Sequence, residues 1–199
     1  EAVVIGYARQ LVVKAGPLPF VHAGSTGPVE LPRSVAGTLD ATIRAIVSRA
    51  GLTGLNSIDF MLDGESVQVL EINTRPSSTM ALYEAAWPGQ WPRGLIACHI
   101  DACLHGTRPA AAPPDRAGPR AGQRVLFAPH GFTVTQAFSD ACLDDPVCRD
   151  VPQPGTRIEA GQPVCTLFVS APGADDVPRA LERERARLLQ RIATCRESA

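Results

Sequence analysis

The chain has 199 residues, of which 45% are hydrophobic, 20% charged and 5% aromatic, and its formal net charge is −1. That length can bury a real core and fits one or two small domains. The even charge balance, with a pI near 6.5, gives no broad electrostatic case for nucleic acid or an anionic membrane as partner. No run approaches the roughly 18 apolar residues of a membrane span. No basic-then-apolar leader is visible, so secretion is not expected. The six cysteines are spread along the chain without the density of a disulfide scaffold, which favours reduced thiols and a cytoplasmic location. Among 19 basic residues only Lys14 is a lysine.

Residues 2–5 and 9–13 are β-rich and flank Gly6-Tyr7-Ala8, which predicts a hairpin. Residues 16–37 read as loop, broken by Gly16-Pro17, Gly24-Ser25, Gly27-Pro28 and Pro32. Leu39, Ile43, Ile46 and Val47 recur at helical spacing, with Thr38 or Asp40 as N-cap and Gly51 as the stop. A β-hairpin follows over 56–73 and ends before Pro76. Ser77 or Ser78 then caps a short helix to about residue 86, and a second helix runs over about 93–105. Residues 106–124, rich in Pro, Ala, Gly and Arg, form an expected connector. Beyond it, 125–128, 132–134 and parts of 154–169 read as strands, and the acidic stretch around Cys142 and Cys148 as loop, in which the two thiols are either paired or free. A final helix over about 177–195 turns Leu181, Leu188, Leu189 and Ile192 inward and a dense Arg/Glu face outward.

The 56–76 hairpin carries the chemistry. Side chains alternate along a strand, so Ile58, Phe60 and Leu62 share one face and Asp59 and Met61 the other. On the return strand Leu70 and Ile72 oppose Val69, Glu71 and Asn73. The apolar sets coincide only if the connection has odd parity, which predicts a three-residue link near Gly64-Glu65-Ser66 and sets Asp59 opposite Glu71. A two-residue turn would bury Asp59 among the core residues, at a steep desolvation cost. Two facing carboxylates repel unless a cation or proton lies between them, and Mg²⁺ prefers such oxygen ligands. The competing reading is an ordinary sheet face with both acids in water. Arg75, placed just past Asn73, weighs against it.

This segment resembles the large-lobe hairpin of the ATP-grasp superfamily, in which an acidic residue on one strand precedes Glu-x-Asn-x-Arg on the next, as Asp59 precedes Glu71-Ile72-Asn73-Thr74-Arg75. The likeness extends upstream through 7–32, including Phe20-Val21-His22-Ala23-Gly24, and downstream to about Gly106. Many relatives carry Glu where this chain has Asp59. The resemblance implies Mg²⁺ (or Mn²⁺) on Asp59, Glu71 and Asn73. It places Glu71 and Met61 at the bound ATP, with Met61 beneath the adenine, and makes Arg75 the catalytic cation on the transferring phosphate or acyl phosphate. It implies an α+β fold: an ATP-grasp large-lobe antiparallel sheet with packed helices, then a small barrel-sandwich-like β module and a C-terminal helix. The expected domains are 1–105, the C-terminal portion of the ATP-grasp domain, then a 106–124 linker, and a 125–199 β module with its helix.

The implied function is an ATP-dependent ligase joining a small-molecule carboxylate to an amine or similar nucleophile through an acyl phosphate. Residues 1–105 and 125–195 are most similar to ATP-grasp proteins of methylotrophic bacteria, which implies a role in one-carbon cofactor biosynthesis. The same resemblance implies lobes bearing phosphate-binding lysines and a glycine-rich loop, which this sequence does not supply. The chain opens on Glu1 and the strand-like Ala2-Val3-Val4-Ile5, and is therefore expected to be a fragment: the C-terminal part of a longer ligase, inactive alone. The alternative is a non-catalytic ATP-grasp remnant serving as a binding or interaction module. A homodimer is left open.

Two weaker signals complete the reading. Cys98, His99, Cys103 and His105 invite a zinc site, but Cys98 and Cys103 stand ~140° apart on a helix, and packed thiols are the default. Residues 154–169 resemble half of a biotinyl- or lipoyl-type module without its attachment lysine.

Overall fold

The computed structural model describes residues 2–15, 18–113 and 118–195. Glu1, the predicted Gly16-Pro17 break and residues 114–117 of the expected connector lie outside the described residues. In chain order the elements are β1 (Arg9–Ala15), β2 (Leu18–Gly27), α1 (Arg33–Ala50), β3 (Ser57–Asp63), β4 (Ser66–Asn73), α2 (Met80–Ala86) and α3 (Gly94–His105). Then come β5 (Arg120–Phe127), β6 (Phe132–Thr133), α4 (Gln136–Leu143), β7 (Cys148–Arg149), β8 (Arg157–Ile158), β9 (Pro163–Ala171) and α5 (Asp176–Thr194). The fold is mixed α+β with one large antiparallel sheet. The chain divides into two units, Glu1–Tyr7 with Pro28–Gly118 and Ala8–Gly27 with Pro119–Ala199.

The second unit is built on a five-stranded sheet in the order β1-β2-β5-β9-β7, every neighbouring pair antiparallel. Its first hairpin differs from the sequence expectation. Residues 2–7 are irregular, and β1 pairs instead with β2, inside the stretch read as loop. The prolines and glycines there are compatible with a strand for local reasons. Pro19 sits in the part of β2 that pairs with β1 alone, because only Gly24–Gly27 face β5. A missing N–H costs little at such a position. Gly24, at φ 131°, passes so close to β5 that a Cβ would run into the Gln123 carbonyl. Gly122 plays the same part toward the helix, since a Cβ there would overlap Val177 of α5.

The core of this unit lies between the sheet and α4 and α5. Leu126, Leu167 and Val169 from the sheet meet Phe138 and Cys142 of α4 and Val177, Leu181, Leu188 and Ile192 of α5. Helix α5 buries the face its spacing predicts. Helix α4 was not expected. Thr135 caps it by accepting the Phe138 amide at 3.1 Å, which turns Phe138 and Cys142 inward one turn apart.

Asp145 links these elements, accepting from Arg187 at 2.6 Å and from Arg191 at 3.1 Å. Burial by itself would raise its carboxyl, but the Arg187 hydrogen bond, the Val147 amide and both guanidinium charges outweigh it and hold the carboxyl below its ordinary value. A depressed folded value means that the linked stability is complete above the ordinary carboxylate range and is lost as pH falls through the folded value. Asp145→Asn is therefore expected to destabilise the protein by about 1–3 kcal/mol at neutral pH. The gap to the parent should begin to narrow only below about pH 4 and close as pH falls through the lower folded value. Urea unfolding at a series of pH values measures it, and a gap independent of pH would refute the ion-pair account.

In the first unit, α1 begins at Arg33, about two turns before the predicted start. The Thr38 hydroxyl, a predicted cap, instead donates back to the Ser34 carbonyl at 3.1 Å. Gly51 closes the helix in the left-handed conformation, as expected. The Ser77 hydroxyl accepts the Thr79 amide at 3.4 Å at the start of α2, and α3 follows over the predicted span. Trp87 stacks on Tyr83 and meets Trp91 edge-on.

Candidate functional site: the acidic hairpin

Strands β3 and β4 form a separate two-stranded sheet. Its turn departs from the parity argument in an informative way. Asp63 pairs directly with Ser66, so Gly64-Glu65 is a two-residue turn, with Gly64 at φ 59°. Such tight hairpins favour a glycine with positive φ. Without correction this turn would flip one strand's side chains to the wrong face. A β-bulge makes the correction: the register shifts between Asp59 and Phe60, leaving Leu70 as the extra residue on β4. Asp59 then pairs with Glu71 and Ser57 with Asn73.

Partnered residues across an antiparallel sheet share a face. Asp59, Glu71 and Asn73 thus stand together, with Met61 and Gln68 continuing the same face beyond the bulge. Ile58, Phe60, Leu62, Val67, Val69 and Ile72 occupy the other. That apolar face was expected to be buried, yet Leu62, Val69 and Ile72 remain exposed. Helix α1 packs against β4 and covers it only in part, and the Ser34 hydroxyl donates to Glu65 at the turn over 2.9 Å.

The Asn73 amide donates to Glu71 Oε1 at 3.0 Å, which leaves its own carbonyl oxygen as a donor atom on the acidic face. Glu71 is exposed and Asp59 half-buried. Arg75 lies just past the strand, with Nη1 donating to the Pro76 carbonyl at 3.4 Å. Among the described residues no cluster of three or more His, Cys, Asp or Glu side chains is arranged for a metal. The hairpin's set is two carboxylates and an amide. That suits a hard cation which keeps waters and takes further oxygens from phosphate, and suits a soft or fully caged metal poorly.

The loop entering β3 is held by a contact that local pattern does not show. His99 of α3 accepts the Leu55 amide on Nδ1 at 3.0 Å. Gly54, at φ 69°, brings the backbone so close that a Cβ would meet the His99 ring. In the neutral ring the proton then sits on Nε2, facing Cys103 Sγ at 3.8 Å. This disposes of the zinc reading of the Cys98–His105 segment. The Nδ1 lone pair is committed to Leu55, and a metal at Nε2 would require that nitrogen to lose its proton too. His99 positions the chain that leads to Asp59.

Residues 1–79 match the family described as the ATP-grasp domain. The large chain of carbamoyl phosphate synthase from Pseudomonas aeruginosa is 30% identical over 84 residues, a stretch covering 40% of this chain and 8% of that protein. Among solved structures, an L-amino acid ligase from Bacillus licheniformis aligns with a TM-score of 0.62 at 12% identity over 93% of this chain. Phosphoribosylglycinamide synthetase from Anaerococcus prevotii aligns with a TM-score of 0.60 at 11% identity over 88% of this chain. The chain spans 50% and 46% of the lengths of those two structures. Residues 1–79 are thus similar to the ATP-grasp domain, and the fold is shared with those two structures.

Proposed function

We propose that this chain supplies the metal- and phosphate-binding hairpin of an ATP-dependent ligase, one that joins a carboxylate to an amine or similar nucleophile through an acyl phosphate. The observation that carries the reading is the pairing of Asp59 with Glu71, and Asn73 with Ser57, on one face of β3/β4. The match of residues 1–79 to the ATP-grasp domain supports it, as do neighbours named as ligases and synthetases. Asp59, Glu71 and Asn73 would hold Mg²⁺ (or Mn²⁺), which when bound offsets the charge developing on the transferred phosphoryl group. The Asn73 amide keeps Glu71 oriented, Met61 would offer an apolar seat for the adenine, and Arg75, just past the strand, would meet the phosphates. A carboxylate or amine carried on a one-carbon cofactor is the proposed substrate class, a proposal resting on the sequence resemblance alone.

The test is a titration of the chain with ATP, with and without Mn²⁺, followed by water-proton relaxation and calorimetry. Weak ATP binding that strengthens with the metal, and Mn²⁺ binding that strengthens with ATP, is the expected result. ATP binding indifferent to divalent cations, or none, would favour the non-catalytic remnant instead.

A further inference from the structure

Three of the six cysteines gather at one place in the second unit. Cys142 closes α4, Cys148 opens β7 and Cys165 lies on β9, and all three belong to the same buried core. Two consecutive turns fold the chain between the first pair: the Asp145 amide donates to the Cys142 carbonyl at 3.3 Å, and the Cys148 amide donates to the Asp145 carbonyl at 3.0 Å. The Cys148 sulfur sits between the other two, within hydrogen-bonding reach of both. The proposed function makes no use of them.

Charges of both signs surround the three thiols. Arg191 acts on Cys142, while on Cys148 the Asp145 carboxylate opposes the Arg187 guanidinium. Hydrogen bonds from Cys142 and then Cys165 lower the Cys148 thiol, while the same contacts with Cys148, followed by burial, raise the other two. Cys148 is thus the thiol that ionises first, and the thiolate is the form that reacts. It is also the most reachable: β7 is the edge strand of the sheet, and Cys148 keeps 5% of its surface open where Cys142 has 0%.

The choice of its partner follows from geometry. Cys148 stands opposite Leu167, so Cys165 is its diagonal neighbour across the strands. Diagonal pairs lie ~7–8 Å apart, beyond the ~4.4–6.8 Å between Cα atoms that a disulfide spans. Cys142, brought round by the two turns, has no such constraint. We propose that Cys142 and Cys148 are a peroxide-responsive dithiol that closes reversibly to a disulfide, with Cys148 reacting first. In the first step the Cys148 thiolate attacks hydrogen peroxide, an S–O bond forms, the O–O bond breaks and hydroxide leaves. Cys142 then attacks the sulfenic sulfur, an S–S bond forms and the S–O bond breaks. The Cys142 proton leaves with the departing oxygen as water. Overall the two thiols lose two electrons and two protons, and one peroxide becomes two waters.

The experiment treats the full 199-residue chain with hydrogen peroxide, then maps peptides under non-reducing conditions. The expected product is a Cys142–Cys148 linked peptide, two fewer titratable thiols after denaturation, and recovery of both with dithiothreitol. In Cys142→Ser, dimedone should trap a sulfenic acid on Cys148, which keeps the test decisive if Cys148→Ser fails to fold. Cys165→Ser should still form the disulfide. A Cys148–Cys165 linked peptide, oxidation at exposed Cys103 with the core thiols untouched, or direct passage of Cys148 to sulfinic acid would each overturn the proposal.

Discussion

Gly24→Ala is expected to cost about 3 kcal/mol or more, a large share of the stability of a typical domain. Two penalties act at this residue. Its φ of 131° lies where an L side chain is strained, and the new Cβ would press on the Gln123 carbonyl, which is backbone and cannot swing away. Gly24 faces Leu11 on one side and Arg124 on the other, next to the irregularity in the β1–β2 register. Separating β2 from β5 to make room would undo the join that brings the β1–β2 pair into the sheet. Gly37 provides the contrast. It lies within α1, and a Cβ there meets nothing within 4 Å. Gly37→Ala should stabilise by about 0.5–1 kcal/mol. Urea unfolding of both variants measures the difference, with amide exchange on β2 and β5 reporting where protection is lost. A Gly24→Ala midpoint equal to the parent's would refute the close-approach account.

The same glycine shows why part of the fold is invisible in local sequence. Gly24 and Gly27 read as breaks, because a strand crossing another backbone at close range and a loop use the same residues. The partner that explains Gly24 is β5, about a hundred residues on, and no periodicity reports a pairing at that distance. Helix α5 is legible because its leucines recur on one face and bury there. The acidic pair is legible because alternation is local, although the structure reaches the predicted Asp59–Glu71 pairing by a two-residue turn and a bulge at Leu70, where a three-residue turn was expected. Odd parity was the constraint that the sequence imposed, and two backbone solutions satisfy it. The hold of His99 on Leu55 joins residues 44 apart, and only the positive-φ Gly54 marked the spot.

If the proposed site holds, Glu71→Gln is expected to weaken the metal-dependent part of ATP binding about 10- to 100-fold, and to lower ATP turnover in the proposed ligase by about 10²-fold or more. The variant preserves shape: the glutamine oxygen can still accept from Asn73, and the strand pairing does not involve the side chain. What it removes is one of two facing negative charges. In a purely structural pair that removal relieves repulsion, so stability without metal should hold or rise. In the proposed site it also removes a ligand, so the stabilisation that Mg²⁺ with ATP confers on the parent should shrink in the variant. The two readings therefore predict opposite outcomes in one pair of melting curves, recorded with and without Mg²⁺ and ATP. Ile72→Val, on the opposite face of the same strand, should leave the metal-dependent shift unchanged. If Glu71→Gln keeps the full Mg²⁺-dependent gain, the acidic face is an ordinary solvated surface and the metal lies elsewhere.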